Sequence, residues 1–197
     1  MTINAESVKE LRQKTGVGFM KCKSALEEAQ GNMEAAITIL RKRGLASRDE
    51  IACRTTKEGV IGSYIHSGSK IGVMVEVNCE SDFVARNTEF QNLVHDLAMH
   101  IAASDPRFVR REDVTDETLA SERAIFMEQA RASGKPEKVL EKIVEGRMTK
   151  FFSETCLLDQ PFVKDPGVSV NDHIAGYIQK IGENIQVRRF VRYRVGE

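Results

Sequence analysis

The chain has 197 residues, with 29 lysines plus arginines and 29 aspartates plus glutamates, so its formal net charge is zero. That balance argues against a protein that coats nucleic acid, which shows a basic excess, and against a polybasic membrane tether or an acidic tail. Charged residues at 29% and hydrophobic ones at 41% describe a globular protein rather than a disordered one, with length for one large domain or two or three small ones and for a core without disulfide staples.

Residues 1 to about 45 read as three short helices. Asn4 is a plausible N-cap, and Val8 and Leu11 define a first helix that breaks at Thr15-Gly16. After the loop Thr15-Gly16-Val17-Gly18-Phe19-Met20, a second helix turns Met20, Ala25 and Ala29 inward. Asn32 caps a third, which carries Ala36, Ile37 and Leu40 and ends at Gly44 after the basic run Arg41-Lys42-Arg43. Cations there suit the helix dipole. Residues 46–58 are charged and without clear period, and read as a linker.

From Gly59 the period becomes two. The stretches 59–66 and 70–78, joined by Ser67-Gly68-Ser69, read as a β-hairpin. Phe90, Leu93, Val94, Leu97 and Ile101 then fall on one face of a helix over 87–103. Two helices follow at about 116–132 and 137–153, linked by Ser133-Gly134-Lys135-Pro136. They predict an antiparallel helical hairpin. A helix over 170–181 precedes a strand over 185–195. The alternation in that strand places Val187, Val191, Tyr193 and Val195 on one face and Arg188, Phe190, Arg192 and Arg194 on the other. The basic face is either solvated or meets an acidic partner. The expected fold is α+β: an N-terminal three-helix domain (1–45), the linker, and a core (59–197) with a three-stranded antiparallel sheet packed by helices and a helical hairpin inserted at about 113–154.

Signs of catalysis are few. Gly62 to Lys70 has neither the spacing nor the order of a phosphate loop, because its lysine does not directly follow the second glycine. His95 and His100 are five apart and do not share a helix face as a zinc pair would. Cys22, Cys53, Cys79 and Cys156 form no C-x-x-C and read as reduced thiols. The start lacks a basic n-region and an apolar h-region, and no apolar run approaches the ~18 residues of a membrane span. A cytoplasmic protein without a cofactor, a metal or a membrane is expected. A Cys79 nucleophile is a rival reading, because spatial pairing with a histidine is invisible in the sequence.

The segment Asn78-Cys79-Glu80-Ser81-Asp82-Phe83-Val84-Ala85-Arg86-Asn87 leaves a strand and sets a carboxylate beside a large aromatic. Two readings stand. Ser81 or Asp82 caps the next helix and Phe83 anchors it, or Phe83 is a wedge that enters a partner's pocket while the carboxylate disturbs charge there.

Several stretches carry a family resemblance: Val8 to Gly16, Phe19 to Lys23, Asn78 to Ala85, Ala98 to Ala103, Glu145 to Met148, Gln160 to Val163 and Ile181 to Ile185. Together they resemble translation elongation factor Ts, in family order and over nearly the whole chain. Ser81 stands where the family usually has threonine, and Phe19 where methionine is frequent. The resemblance implies a non-enzymatic guanine-nucleotide exchange factor that binds the GTPase elongation factor Tu. It also implies an N-terminal domain like a ubiquitin-associated domain and a coiled-coil hairpin. Long members carry two core modules, so a homodimer joined through the sheets is expected here. Family contacts map to Asp82 and Phe83 beside the partner's Mg²⁺ site, with Ser81 and Val84 next to them. Others map to Lys9, Arg12, Phe19, Met20 and Lys23 in the first domain, to His66, and to Ile181 and Gly182. The alternative is a ubiquitin-associated-like adaptor, or a translation-associated interaction protein, without exchange activity.

Overall fold

The computed structural model describes residues 4–15, 19–132 and 136–197, with the side chains of 44–50 and 52 left aside. Residues 16–18 of the first loop and 133–135 of the hairpin link lie outside the described residues. In chain order the elements are α1 (Ala5–Thr15), α2 (Phe19–Glu28), α3 (Met33–Ala52), β1 (Glu58–Ile65), β2 (Ile71–Cys79), α4 (Asp82–Ala85), α5 (Thr88–Ser104), α6 (Asp116–Ala132), α7 (Glu137–Thr155), β3 (Pro161–Phe162), β4 (Asp165–Ser169), α8 (Val170–Ile181) and β5 (Gln186–Arg194). Among the described residues no helix is long and apolar enough to cross a membrane.

The three N-terminal helices bury Val8, Leu11, Cys22, Ala25, Leu26, Ala36 and Leu40 against one another. Asn4 accepts the Glu6 amide at 3.1 Å, and Asn32 that of Ala35 at 3.0 Å, as N-caps do. Two expectations fail here. Met20 points outward, with 71% of its surface exposed. It lies two residues from buried Cys22, about 200° around the helix, so the inner stripe of Cys22, Ala25 and Leu26 excludes it. The third helix does not stop at Gly44; it continues to Ala52 and takes up the first half of the expected linker. A mid-helix glycine costs only about 1 kcal/mol, and Leu45, Ala46, Arg48 and Glu50 favour helix. Its last turn delivers Ile51 into the core beneath the sheet.

That sheet has the order β1-β2-β5, antiparallel throughout. Its inner face sets Val60, Val77 and Val187 side by side, then Gly62, Val75 and Phe190, and packs on α5 and α8. The expected α5 stripe of Phe90, Leu93, Val94, Leu97 and Ile101 is buried. Gly62 is where α5 comes closest. A β-carbon there would sit 2.3 Å from Cγ1 of Val94, so Gly62→Ala overpacks the core. We expect it to lower unfolding free energy by about 1–3 kcal/mol, read as a lower urea midpoint at unchanged slope, and Val94→Ala to restore most of the loss. A single variant as stable as the parent would refute the close contact.

A bulge overturns the predicted faces of β5. The register slips between Glu76 and Val77, so that Val77 pairs with Val187 but Glu76 with Arg189. Arg188 is the extra residue, and beyond it inside and outside are exchanged. Phe190 and Arg192 turn to the inner face, opposite Val75 and Val73, while Val191 and Tyr193 turn out. Arg192 is therefore not on a solvated basic face. Its side chain is 9% exposed, with Nη1 3.1 Å from Asp105 and 3.6 Å from Glu197. The outer face carries Ile61, Ile65, Met74, Val191 and Tyr193, all exposed.

Helices α6 and α7 pair into the expected hairpin over a cluster of their own, including Ala130, Leu140, Val144, Met148 and Phe151. A buried polar node fixes its base. Gln160 donates from Nε2 to the carbonyls of Ser104 (3.3 Å) and Glu154 (2.8 Å), tying the ends of α5 and α7 together. Its Oε1 lies 2.9 Å from Nε2 of fully buried His100, whose Nδ1 accepts from the Val163 amide at 3.1 Å. An accepting Nδ1 requires the neutral ring. Burial pushes the His100 pKa below its ordinary value, against the opposing pull of the Gln160 bond. A histidine depressed in the fold contributes stability that is complete above its unfolded pKa of about 6.5 and is lost as pH falls toward the folded value. We expect a loss of up to about 1.4 kcal/mol per pH unit below pH 6.5 from this residue. Urea midpoints between pH 7.5 and 5.5 read it, and His100→Asn should fall less steeply than the parent; equal slopes would refute the neutral node.

Candidate functional site

Strand β2 ends at Cys79, and within three residues the chain enters α4. Ser81 caps that turn, its Oγ accepting from the Val84 amide at 3.3 Å. Val84 and Ala85 face the core, at 5% and 6% exposure. Phe83 does not anchor the turn: it stands out with 79% of its surface exposed. Asp82 lies beside it, its carboxylate 3.0 Å from the Arg86 guanidinium in a largely exposed pair that adds little stability. The capping part of the first reading of this segment therefore holds and the anchoring part fails.

Two glutamates fasten the loop before α4 to the loop after α8. Helix α8 closes on Gly182, whose φ of +86° turns the chain back, a left-handed conformation that glycine adopts without strain. The next residue, Glu183, accepts with Oε2 from the amides of Glu80 (3.2 Å) and Ser81 (3.1 Å) and with Oε1 from the Ser81 hydroxyl (2.7 Å). In return, Oε1 of Glu80 accepts from the Asn184 amide at 2.7 Å. Arg54, just beyond α3, donates to Glu80 and to the Gly182 carbonyl at 3.4 Å each, and its own carbonyl takes a 2.8 Å bond from the Asn184 side chain. Ser81, Asp82, Phe83, Val84, Ile181 and Gly182 are thus brought together around one clasp. Sequence reading assigns no role to Glu80, Glu183, Asn184 or Arg54, although Glu80, Glu183 and Asn184 lie in family-like stretches. Apart from Arg54 and Glu80, the partners stand more than 100 residues apart, and no local pattern marks such a pair.

Cys79 lies under this loop, fully buried, its thiol donating to the Ser81 carbonyl at 3.2 Å. Burial, and then the charge of Glu183, push the thiol pKa up to about 11. The reactive form of cysteine is the thiolate, so Cys79 stays protonated at neutral pH and the nucleophile reading fails. Among the described residues no cluster of histidine, cysteine and carboxylate could hold a metal ion.

The other predicted contacts lie elsewhere. Lys9 and Arg12 are exposed on α1, and Phe19, Met20 and Lys23 on α2. His66 follows β1 at the end of the sheet opposite Cys79, about 26 Å away by strand rise. Its Nδ1 is 3.1 Å from the Tyr64 hydroxyl, at a groove of about 540 Å³ lined also by Met99, Val163 and Arg192.

A family model described as Elongation factor TS matches residues 4–197. The chain belongs to the elongation factor Ts family. Elongation factor Ts of Koribacter versatilis is 58% identical over 197 residues, covering 100% of this chain and 90% of that protein. Elongation factor Ts of Thermosipho melanesiensis is 56% identical over 195 residues, covering 99% of this chain and all of that protein. Membership in the elongation factor Ts family gives the chain a role in translation elongation, and the mixed fold of three helices, a three-stranded sheet and further helices agrees with it.

Proposed function

We propose that the chain is a guanine-nucleotide exchange factor that binds the GTPase elongation factor Tu and promotes GDP release, acting in the cytoplasm. The observation that carries this reading is Phe83, an exposed ring on a turn pinned to the body of the protein. Leaving a phenylalanine in water forgoes about 1.5–3 kcal/mol of burial. A ring held out from a pinned turn at that expense suits insertion into a partner's pocket. Phe83 acts as the wedge that displaces the elements supporting the partner's Mg²⁺, the largest local charge at its phosphate site. Asp82 contacts those displaced elements. Val84, being buried, serves from within by holding the turn, as the Ser81 cap does; Ile181 and Gly182 flank it. Lys9, Arg12, Phe19, Met20 and Lys23 form a second contact on the N-terminal domain (1–45), and His66 a third.

The chemistry is binding alone, with no bond made or broken by this chain. A factor that binds the nucleotide-free partner more tightly than its GDP form weakens GDP binding by the same factor. Each ~1.4 kcal/mol of that coupling is tenfold. Stopped-flow release of a fluorescent GDP from elongation factor Tu tests the reading: acceleration by the chain is expected, and an unchanged rate would overturn it. A ubiquitin-associated-like adaptor would bind without releasing nucleotide.

The second part of the proposal is a homodimer joined through the outer faces of the sheets. The support is the exposed apolar surface of Ile61, Ile65, Met74, Val191 and Tyr193 on three adjacent strands. Contiguous patches of this kind mark interaction sites, and a second copy supplies a matching face under two-fold symmetry.

A further inference from the structure

We infer that Glu183 is a positioning residue for exchange, acting through Phe83. This rests on the reading of Phe83 as the wedge. An exposed ring has no packing of its own to fix it, so the backbone of α4 decides where it stands. Four residues make too short a helix to be stable alone. The burial of Val84 and Ala85 and the clasp hold it, beside the bond from the Cys79 thiol to the Ser81 carbonyl and the exposed Asp82–Arg86 pair. The Glu183 carboxylate accounts for three bonds of the clasp, taking the amides of Glu80 and Ser81 and the Ser81 hydroxyl. By binding the hydroxyl proton it leaves a lone pair of Ser81 Oγ free to cap the Val84 amide at 3.3 Å. One carboxylate therefore sets both the path of the chain into α4 and the cap that starts it. The reciprocal bond from Asn184 to Glu80, and the bonds of Arg54, carry the restraint on to α8 and to the end of α3.

A wedge already ordered before docking loses less conformational freedom on insertion. Loosening the clasp should thus slow release from the docked complex while leaving docking nearly intact. Cys79 and β2 lie beneath the loop, in the main core, and the fold does not depend on Glu183 for its hydrophobic contacts.

The test uses the full chain and two readouts. On the chain alone, amide hydrogen exchange at Ser81 and Val84 should rise more than tenfold in Glu183→Ala, with Val75 and Val77 unchanged. Unchanged protection at Ser81 and Val84 would overturn the clasp. With elongation factor Tu and fluorescent GDP, Glu183→Ala should lower the maximal release rate 5- to 20-fold, with the half-maximal concentration within threefold. Glu183→Gln should keep most of the rate, because its amide oxygen still accepts two backbone amides. Ser81→Ala, a milder change that removes the cap, should shift the rate in the same direction. In a Phe83→Ala background, Glu183→Ala should add less than twofold, the non-additivity of residues acting as one unit. A full-sized effect in that background would overturn action through Phe83. If the parent chain fails to accelerate release, the exchange reading itself falls, while the hydrogen-exchange readout still decides the clasp.

Discussion

Phe83→Ala is expected to reduce the acceleration of GDP release from elongation factor Tu by roughly 30- to 160-fold, corresponding to about 2–3 kcal/mol for an aromatic anchor lost from a partner pocket. The same change should leave the melting temperature within a degree or two. The contrast follows from exposure: with 79% of the residue in solvent, truncation opens no cavity, and surface changes of this kind stay within about 0.5 kcal/mol. Thermal unfolding and stopped-flow release on one preparation give both numbers. Release at the parental rate would refute the wedge, and a large drop in melting temperature would show that Phe83 supports the fold after all. Val84 is the built-in contrast. It is next in the chain but 5% exposed, so Val84→Ala should cost stability.

Met74→Glu together with Tyr193→Asp is expected to abolish the proposed homodimer. Light scattering of the parent at micromolar concentration should return twice the 22.1 kDa of one chain, and the variant the single-chain mass. The effect is large because a two-fold interface contains each residue twice, so two substitutions bury four carboxylates without partners. At about 1–3 kcal/mol or more for each unsatisfied group, the sum exceeds about 4 kcal/mol, and the dissociation constant rises at least about a thousandfold. The monomer should remain folded, because both side chains already face outward. A parent that scatters as a single chain would refute the dimer outright.

Elements with a strong local signal were legible in the sequence. The apolar stripe of α5, the hairpin of β1 and β2, the pair α6 and α7, and the cap at Asn32 each depend on residues within a few positions of one another. Two features depart from their local signal for identifiable reasons. The alternation of β5 was real, but one extra residue, Arg188, exchanged the faces beyond it. A bulge is selected by pairing with a neighbour more than a hundred residues away, not by the strand itself. Gly44 and the charges around it read as a helix stop, whereas α3 continues until Ile51 reaches the core.

The candidate site divides along the same line. The sequence by itself determined the family, the order of elements and the unusual Asp82-Phe83 pair, since these are carried by residue identity and short-range period. Only the tertiary structure decided that Phe83 stands in solvent while Val84 is buried, that Cys79 is an inert thiol, and that Glu183 takes the Glu80 amide while Glu80 takes the amide of Asn184. Exposure, desolvation and hydrogen bonding between distant segments exist only once the sheet has brought the end of β2 beside the end of α8.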